Sequence, residues 1–184
     1  MNQHDMTRNM VLAALFAALT AIGAFLQIPT GTVPITLQFL FTALAGLLLG
    51  WKWGAISQLL YVGIGLLGLP VFTQGGGIGY VLQPSFGFLL GLIPAAAVIG
   101  ALTTRRTGYL NILAVVLVGD LILYAVGVPY MYLILHVYMQ SAKTFPALLA
   151  AMLVYVPGDT LKIIVVTALA PVLRRTLAKA VPNL

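Results

Sequence analysis

Apolar residues run along this chain in blocks too long and too continuous for amphipathic helices, and they break only at short polar or Gly/Pro-rich stretches. Six blocks stand out, at residues 10–28, 35–50, 53–69, 81–102, 109–128 and 147–172. A helix crosses a bilayer with roughly 20 apolar residues, so each block reads as a candidate span, the second being the shortest. The connections are too short to hold another folded unit. The pattern therefore predicts one domain over residues 1–184, an all-α integral membrane protein of six transmembrane helices. The stretch 129–140, apolar and rich in tyrosine, reads either as an extension of the fifth helix or as a segment lying in the interface, where tyrosine rings are favoured. The first block follows Arg8 as a secretory signal core would, yet it exceeds the roughly 7–15 residues of such cores. It also ends at Gln27-Ile28-Pro29 rather than at a small-x-small cleavage site, so it is expected to remain as a span.

Composition narrows the class. The chain is 61% hydrophobic and 7% charged, against about 25% charged in soluble domains. Nine Lys+Arg and three Asp residues cannot coat a water-exposed surface. A soluble enzyme, a nucleic-acid binder and a disordered tail are excluded on that ground. The net charge of +6 is not a nucleic-acid footprint, because the basic residues punctuate apolar runs instead of clustering. Sorted by connection, Arg8, Lys52, Arg105, Arg106, Arg174, Arg175 and Lys179 fall on one side, Lys143 on the other and Lys162 inside a span. The positive-inside rule then places both termini in the cytoplasm and the chain as a multi-pass protein of the cytoplasmic membrane. The outer connections 29–34 and 70–80 carry no charge and are rich in Gly, Pro and Thr. Residues 73–80 form a longer segment than a turn requires, with backbone that can close over a small ligand.

Ionisable groups inside a membrane are costly and mark functional candidates. Three occur: Asp120, Asp159 and Lys162. Asp159 and Lys162, three apart, share one helix face. Pro157-Gly158 just before them is expected to loosen the backbone ladder within the sixth span. The pair suits a polar ligand that brings both hydrogen-bond donors and a negative charge; the alternative is an ion pair that merely holds the bundle together. Asp120 either pairs with Lys162 or faces a wet cavity. His136, alone among aromatics, reads as an interface residue. Enzyme chemistry finds no support: there is no cysteine, no pair of intramembrane histidines and no carboxylate cluster. Gly75–Gly79 lacks the G-x-G-x-x-G spacing, and no G-x-x-x-x-G-K-[ST] segment exists, so this chain does not bind ATP by the P-loop route. Ala13, Ala17 and Ala21 recur every four residues, with Ala14 and Ala18 beside them. Such a flat face serves close helix packing, either with a partner or within the bundle. Gly46/Gly50 and Gly87/Gly91 repeat the spacing and read as internal packing.

Several blocks carry a family resemblance. Val33-Pro34-Ile35-Thr36-Leu37-Gln38, Ala45-Gly46-Leu47-Leu48-Leu49-Gly50 and Leu66-Leu67-Gly68-Leu69-Pro70-Val71-Phe72 come first. Gly75-Gly76-Gly77-Ile78-Gly79-Tyr80, Gln83-Pro84-Ser85-Phe86-Gly87-Phe88-Leu89 and Pro157-Gly158-Asp159-Thr160-Leu161-Lys162 follow in order. Together they resemble the BioY family, the biotin-specific S components of energy-coupling factor (ECF) vitamin transporters. Members of that family commonly read Pro-Thr-(Gly or Phe)-Gly-Tyr where this chain has Pro84-Ser85-Phe86-Gly87-Phe88, so a hydroxyl is kept and a phenol lost. The resemblance implies a non-enzymatic six-helix bundle that captures biotin from the outer side as its transported ligand, with no cofactor. It implies docking onto a transmembrane coupling protein driven by two ABC ATPases, with Ala13, Ala17 and Ala21 as the contact. It implies that Asp159 accepts from the ureido N–H groups and that Lys162 supports Asp159 while donating to the ureido carbonyl or the carboxylate. Gln83 and Ser85 would complete the polar set, and Tyr80, Phe86 and Phe88 the apolar contacts. The rivals are an S component for another vitamin and a non-transport membrane scaffold.

Overall fold

A computed structural model describes residues 3–30, 33–103 and 108–180. The chain is helical almost throughout: α1 Gln3–Phe25, α2 Gln38–Leu66, α3 Phe86–Leu102, α4 Tyr109–Leu133, α5 Phe145–Met152 and α6 Val156–Ala180. A two-residue antiparallel ribbon, β1 Gln27–Ile28 against β2 Ile35–Thr36, joins α1 to α2. Short 3-10 turns at Ile78–Leu82 and Leu153–Tyr155 precede α3 and α6, and a π-turn at Ile134–Tyr138 prolongs α4. Of the two expectations for residues 129–140, the structure takes the helical extension. Among the described residues, four stretches are long and apolar enough to cross a membrane: Asp5–Phe25, Gln38–Leu66, Tyr109–Tyr138 and Phe145–Thr176; α3 is a shorter apolar helix. Large apolar side chains such as Leu121, Leu161 and Ile164 are exposed in mid-helix, as lipid-facing positions are.

α2 is a hairpin. At Gly50 the backbone leaves the helix with φ 77° and ψ 178°, a conformation open to glycine because it has no Cβ to clash. The arms 38–49 and 51–66 then run back along each other and fall on the second and third apolar blocks. Gln38 Nε2 donates to Tyr61 Oη at 2.7 Å and Thr42 Oγ1 to Gln58 Oε1 at 3.0 Å. In a straight helix Gln38 and Tyr61 would lie about 35 Å apart. Gln58 Nε2 also reaches Thr20 Oγ1 on α1 at 3.3 Å, so one buried polar spine ties three helical segments. Arg174 of α6 donates to the Leu47 carbonyl at 2.8 and 3.2 Å, covering an acceptor that the end of the first arm leaves free. Arg105, Arg106 and the side chain of Lys179, which enter the sequence-based orientation, lie outside the described residues.

Two expectations change. Pro157 is the second residue of α6, where a missing N–H is one of the helix's orphan donors in any case. Pro157-Gly158 therefore opens a helix rather than weakening one, and the sixth block is divided between α5 and α6. Ala13 and Ala17, expected as a partner contact, are buried at 0% and 5% exposure on the face that carries Phe16, Thr20, Gly23 and Ala24 towards α2. Small residues there let α1 approach its own bundle. Ala21 is half-buried at the edge, and the outward small residues are Ala14 and Ala18.

The hairpin depends on close backbone approach. A Cβ at Gly54 would sit 2.9 Å from Gly46 Cα and 3.1 Å from its N, and backbone atoms cannot step aside. Gly54→Ala is expected to lower the melting temperature of the purified protein by about 3–10 °C. Gly63→Ala, where a Cβ meets nothing within 4 Å, should leave it unchanged or raise it. Equal melting temperatures for the two variants would refute the tight crossing.

Candidate ligand-binding site

The two residues most expensive to bury are brought together at the first turn of α6. Lys162 Nζ lies 2.5 Å from Asp159 Oδ1, and the residues are only 8% and 6% exposed. Their three-residue spacing puts them on one face, and the helix N-terminus favours the carboxylate. Tyr124 of α4 donates its hydroxyl to Asp159 Oδ2. Lys162 also donates to the Thr36 carbonyl on β2 at 3.2 Å. The ribbon is thus drawn over the ion pair. Thr30 and Tyr155 both hydrogen-bond to the Val33 carbonyl, and their own hydroxyls meet at 2.9 Å.

The pair opens onto a cavity lined by residues of β2, α2, α3, α4 and α6, among them Ile35, Thr36, Gln38, Phe88, Leu123 and Tyr124. A second polar group lies in its wall: Tyr80 Oη meets Thr73 Oγ1 at 2.9 Å and accepts from Ser85 Oγ at 3.4 Å. Phe39, Phe88, Leu89, Leu92 and Leu123 supply apolar wall. Beneath the wall, rings pack in a chain from Tyr61 through Phe72, Tyr80 and Phe86 to Tyr130, edge to face except for the tilted Phe72–Tyr80 contact. The segment before α3 is folded rather than slack, with Gly77 N donating to the Gly65 carbonyl at 2.7 Å.

Of the residues singled out in the sequence, Asp159, Lys162, Tyr80, Ser85 and Phe88 line this cavity. Two do not. Gln83 is exposed, since the chain is extended there between the 3-10 turn and α3. Phe86 is buried behind the wall, its ring packed between Tyr80 and Tyr130, so it supports the site without reaching it. His136 stacks on Tyr132 at 5.3 Å. Among the described residues no group of three His, Cys, Asp or Glu could hold a metal.

Sequence reasoning missed Tyr124, Thr36, Gln38, Met152 and Tyr155. Two had signals. Tyr124 falls deep in a span although tyrosines gather at interfaces, and Tyr155 precedes Asp159 by four residues, the spacing of one helix face.

The BioY family matches residues 1–179. A probable biotin transporter BioY of Lysinibacillus sphaericus is 52% identical over 147 residues, covering 79% of this chain and 75% of that one. A biotin transporter BioY of Thermotoga maritima is 35% identical over 164 residues, covering 89% and 94%. The 2.1 Å crystal structure of the S-component for biotin from an ECF-type ABC transporter matches the fold with a TM-score of 0.81, at 29% identity and 95% coverage of both chains. By sequence along nearly its whole length and by the course of its helices, this chain belongs to the BioY family.

Proposed function

We propose that this chain captures biotin at the outer face of the cytoplasmic membrane and delivers it inward as the S component of an ECF transporter. It acts as a substrate-binding membrane subunit rather than an enzyme. The observation that carries the reading is the buried Asp159–Lys162 pair held open to a cavity. An ionised carboxylate offers about four acceptor positions, and Lys162 and Tyr124 use one on each oxygen. Two remain, and one of biotin's two ureido N–H donors, which diverge from the ring, can take up a place there. Lys162 has three N–H groups, of which Asp159 and the Thr36 carbonyl take two; the third serves the ureido carbonyl. The hydroxyls of Thr73, Tyr80 and Ser85 receive the carboxylate, and the apolar wall between takes the thiophane ring and alkyl chain.

The same reading includes six membrane crossings, counting each arm of α2 as one, with both termini cytoplasmic. The ribbon, the segment before α3 and the end of the π-turn then face outward around the cavity mouth. Energy comes from a transmembrane coupling protein and two ABC ATPases. The coupling protein meets the outward side of α1, where Ala14 and Ala18 are exposed beside Val11, Leu15 and Ile22.

Three measurements test these claims. Asp159→Asn is expected to weaken biotin binding by the purified protein by at least about 30-fold, the lower end for breaking a buried charge pair. Tyr124→Phe should cost about tenfold, one hydrogen bond to a charged group. Unchanged affinity in Asp159→Asn, or competition by thiamine as strong as by desthiobiotin, sinks the assignment. Because the chain has no cysteine, single replacements report sidedness cleanly. Ser141→Cys should react with an impermeant maleimide in intact cells, and Lys52→Cys only after permeabilisation; the reverse pattern overturns the orientation. Ala18→Trp should abolish uptake while leaving biotin binding intact, and normal uptake would remove α1 as the docking face.

A further inference from the structure

Asp120 is the one intramembrane ionisable residue that this capture of biotin leaves unused. It sits on α4 one turn before Tyr124, at 9% exposure, and its Oδ1 has no hydrogen-bond partner among the described residues. It does not line the cavity; Tyr124, in the next turn, does. The charged groups that act on it are Asp159 and Lys162, both across the interface on α6. α3 and α5, which also pack on α4, carry no ionisable residue. On α4 itself Tyr124 is engaged with Asp159, while Tyr109, Tyr130, Tyr132 and His136 lie further along the helix. From α2, Lys52 is exposed beside the Gly50 turn and Tyr61 is bonded to Gln38 and to the Val71 carbonyl. The arginines of α6 lie three turns beyond Lys162. The bundle therefore buries two carboxylates, of which Asp159 holds the ammonium of Lys162 and Asp120 Oδ1 has no partner among the described residues.

A bound biotin brings another negative charge, and the hydroxyls proposed to hold its carboxylate carry none to offset it. Like charges in a low-dielectric interior repel strongly. A cation has to come in with the anion. A metal ion needs several oxygen ligands, and no such cluster is present among the described residues. A proton needs a single acceptor, and the unpartnered Oδ1 of Asp120 is one. We propose that Asp120 takes up one proton from solvent as the ligand's carboxylate enters, so that anion and proton occupy the bundle together. One O–H bond forms at Asp120 as one O–H bond of a solvent hydronium ion breaks, and no other covalent bond changes. The loaded site then has the net charge of the empty one, which removes an electrostatic obstacle to moving it across the membrane.

This proposal rests on the biotin reading, and titration calorimetry separates the two. The full chain in detergent is titrated with biotin near neutral pH in buffers of different ionisation enthalpy. A net proton uptake of at most one per biotin should accompany binding, with affinity falling by up to about tenfold per pH unit where the uptake occurs, because proton-coupled binding weakens as pH rises. Asp120→Asn should still bind, with uptake near zero and an affinity flat in pH. Biotin methyl ester, which has no carboxylate charge, should bind the wild type without uptake. Binding without uptake overturns the proposal alone, as does uptake undiminished in Asp120→Asn or equal uptake with the ester. Failure of the wild type to bind biotin at all removes the reading beneath it, and the proposal with it. Should Asp120→Asn not fold, the comparison of biotin with its ester on the wild-type chain decides.

Discussion

Asp159 and Lys162 are buried in a helix that otherwise presents apolar side chains to lipid, and most of the surrounding architecture answers to that cost. Two charges withdrawn from water repay their desolvation only with close geometry and with their remaining donors and acceptors satisfied. The helix start at Val156, followed by Pro157, puts Asp159 in the first turn, where the backbone dipole favours it. Tyr124 supplies a donor from α4, and the Thr36 carbonyl of the ribbon supplies an acceptor. The connection between α1 and α2 is therefore held against the start of α6 by the polar groups it brings. An ion pair kept only for stability would be closed over; this one borders a cavity.

Elsewhere the bundle is held by what remains when lipid tails are as apolar as the helices. Association then relies on close packing and interhelical hydrogen bonds. Gly46 and Gly54 bring the arms of α2 almost into backbone contact. Ala13 and Ala17 are buried on the inward face of α1. The spine from Thr20 through Gln58 and Thr42, with Gln38 and Tyr61 one turn on, fixes the register of these segments. Register matters because Gln38 and Phe39 reach the cavity wall from the same arm. Packing near the middle of the bundle thus positions residues at its ligand end.

Continuous hydropathy made the helices legible, because each apolar run must find lipid or another helix. Asp159 and Lys162 were legible because charge inside such a run is rare. The phase of a helix that is apolar all round was not. Ala13 and Ala14 carry the same side chain, and nothing in their spacing says which faces α2. The reversal at Gly50 and the break at Pro157 are matters of backbone dihedral, which hydropathy does not report. Gln83 and Phe86 missed the cavity for a related reason: in a stretch mixing a 3-10 turn, an extended residue and a helix start, no single period assigns a face. Tyr124 approaches from a helix 35 positions away in sequence, a contact set by how α4 and α6 cross.

The two polar groups of the cavity wall differ in kind, and that difference bears on selection. One is charged, Asp159 with Lys162; the other is built from the hydroxyls of Thr73, Tyr80 and Ser85, and apolar side chains complete the wall. A ligand that is polar at one end only would leave buried groups at the other without partners, at a cost of about 1–3 kcal/mol each. A ligand polar throughout would set its middle against leucine and phenylalanine. The wall therefore selects for two polar ends and an apolar middle. Within that class, the acceptor positions left on Asp159 suit a ligand end that presents an N–H donor. In the proposed binding mode, shape places such a molecule in the cavity, and the unspent acceptor positions of Asp159 set which end goes in beside α6.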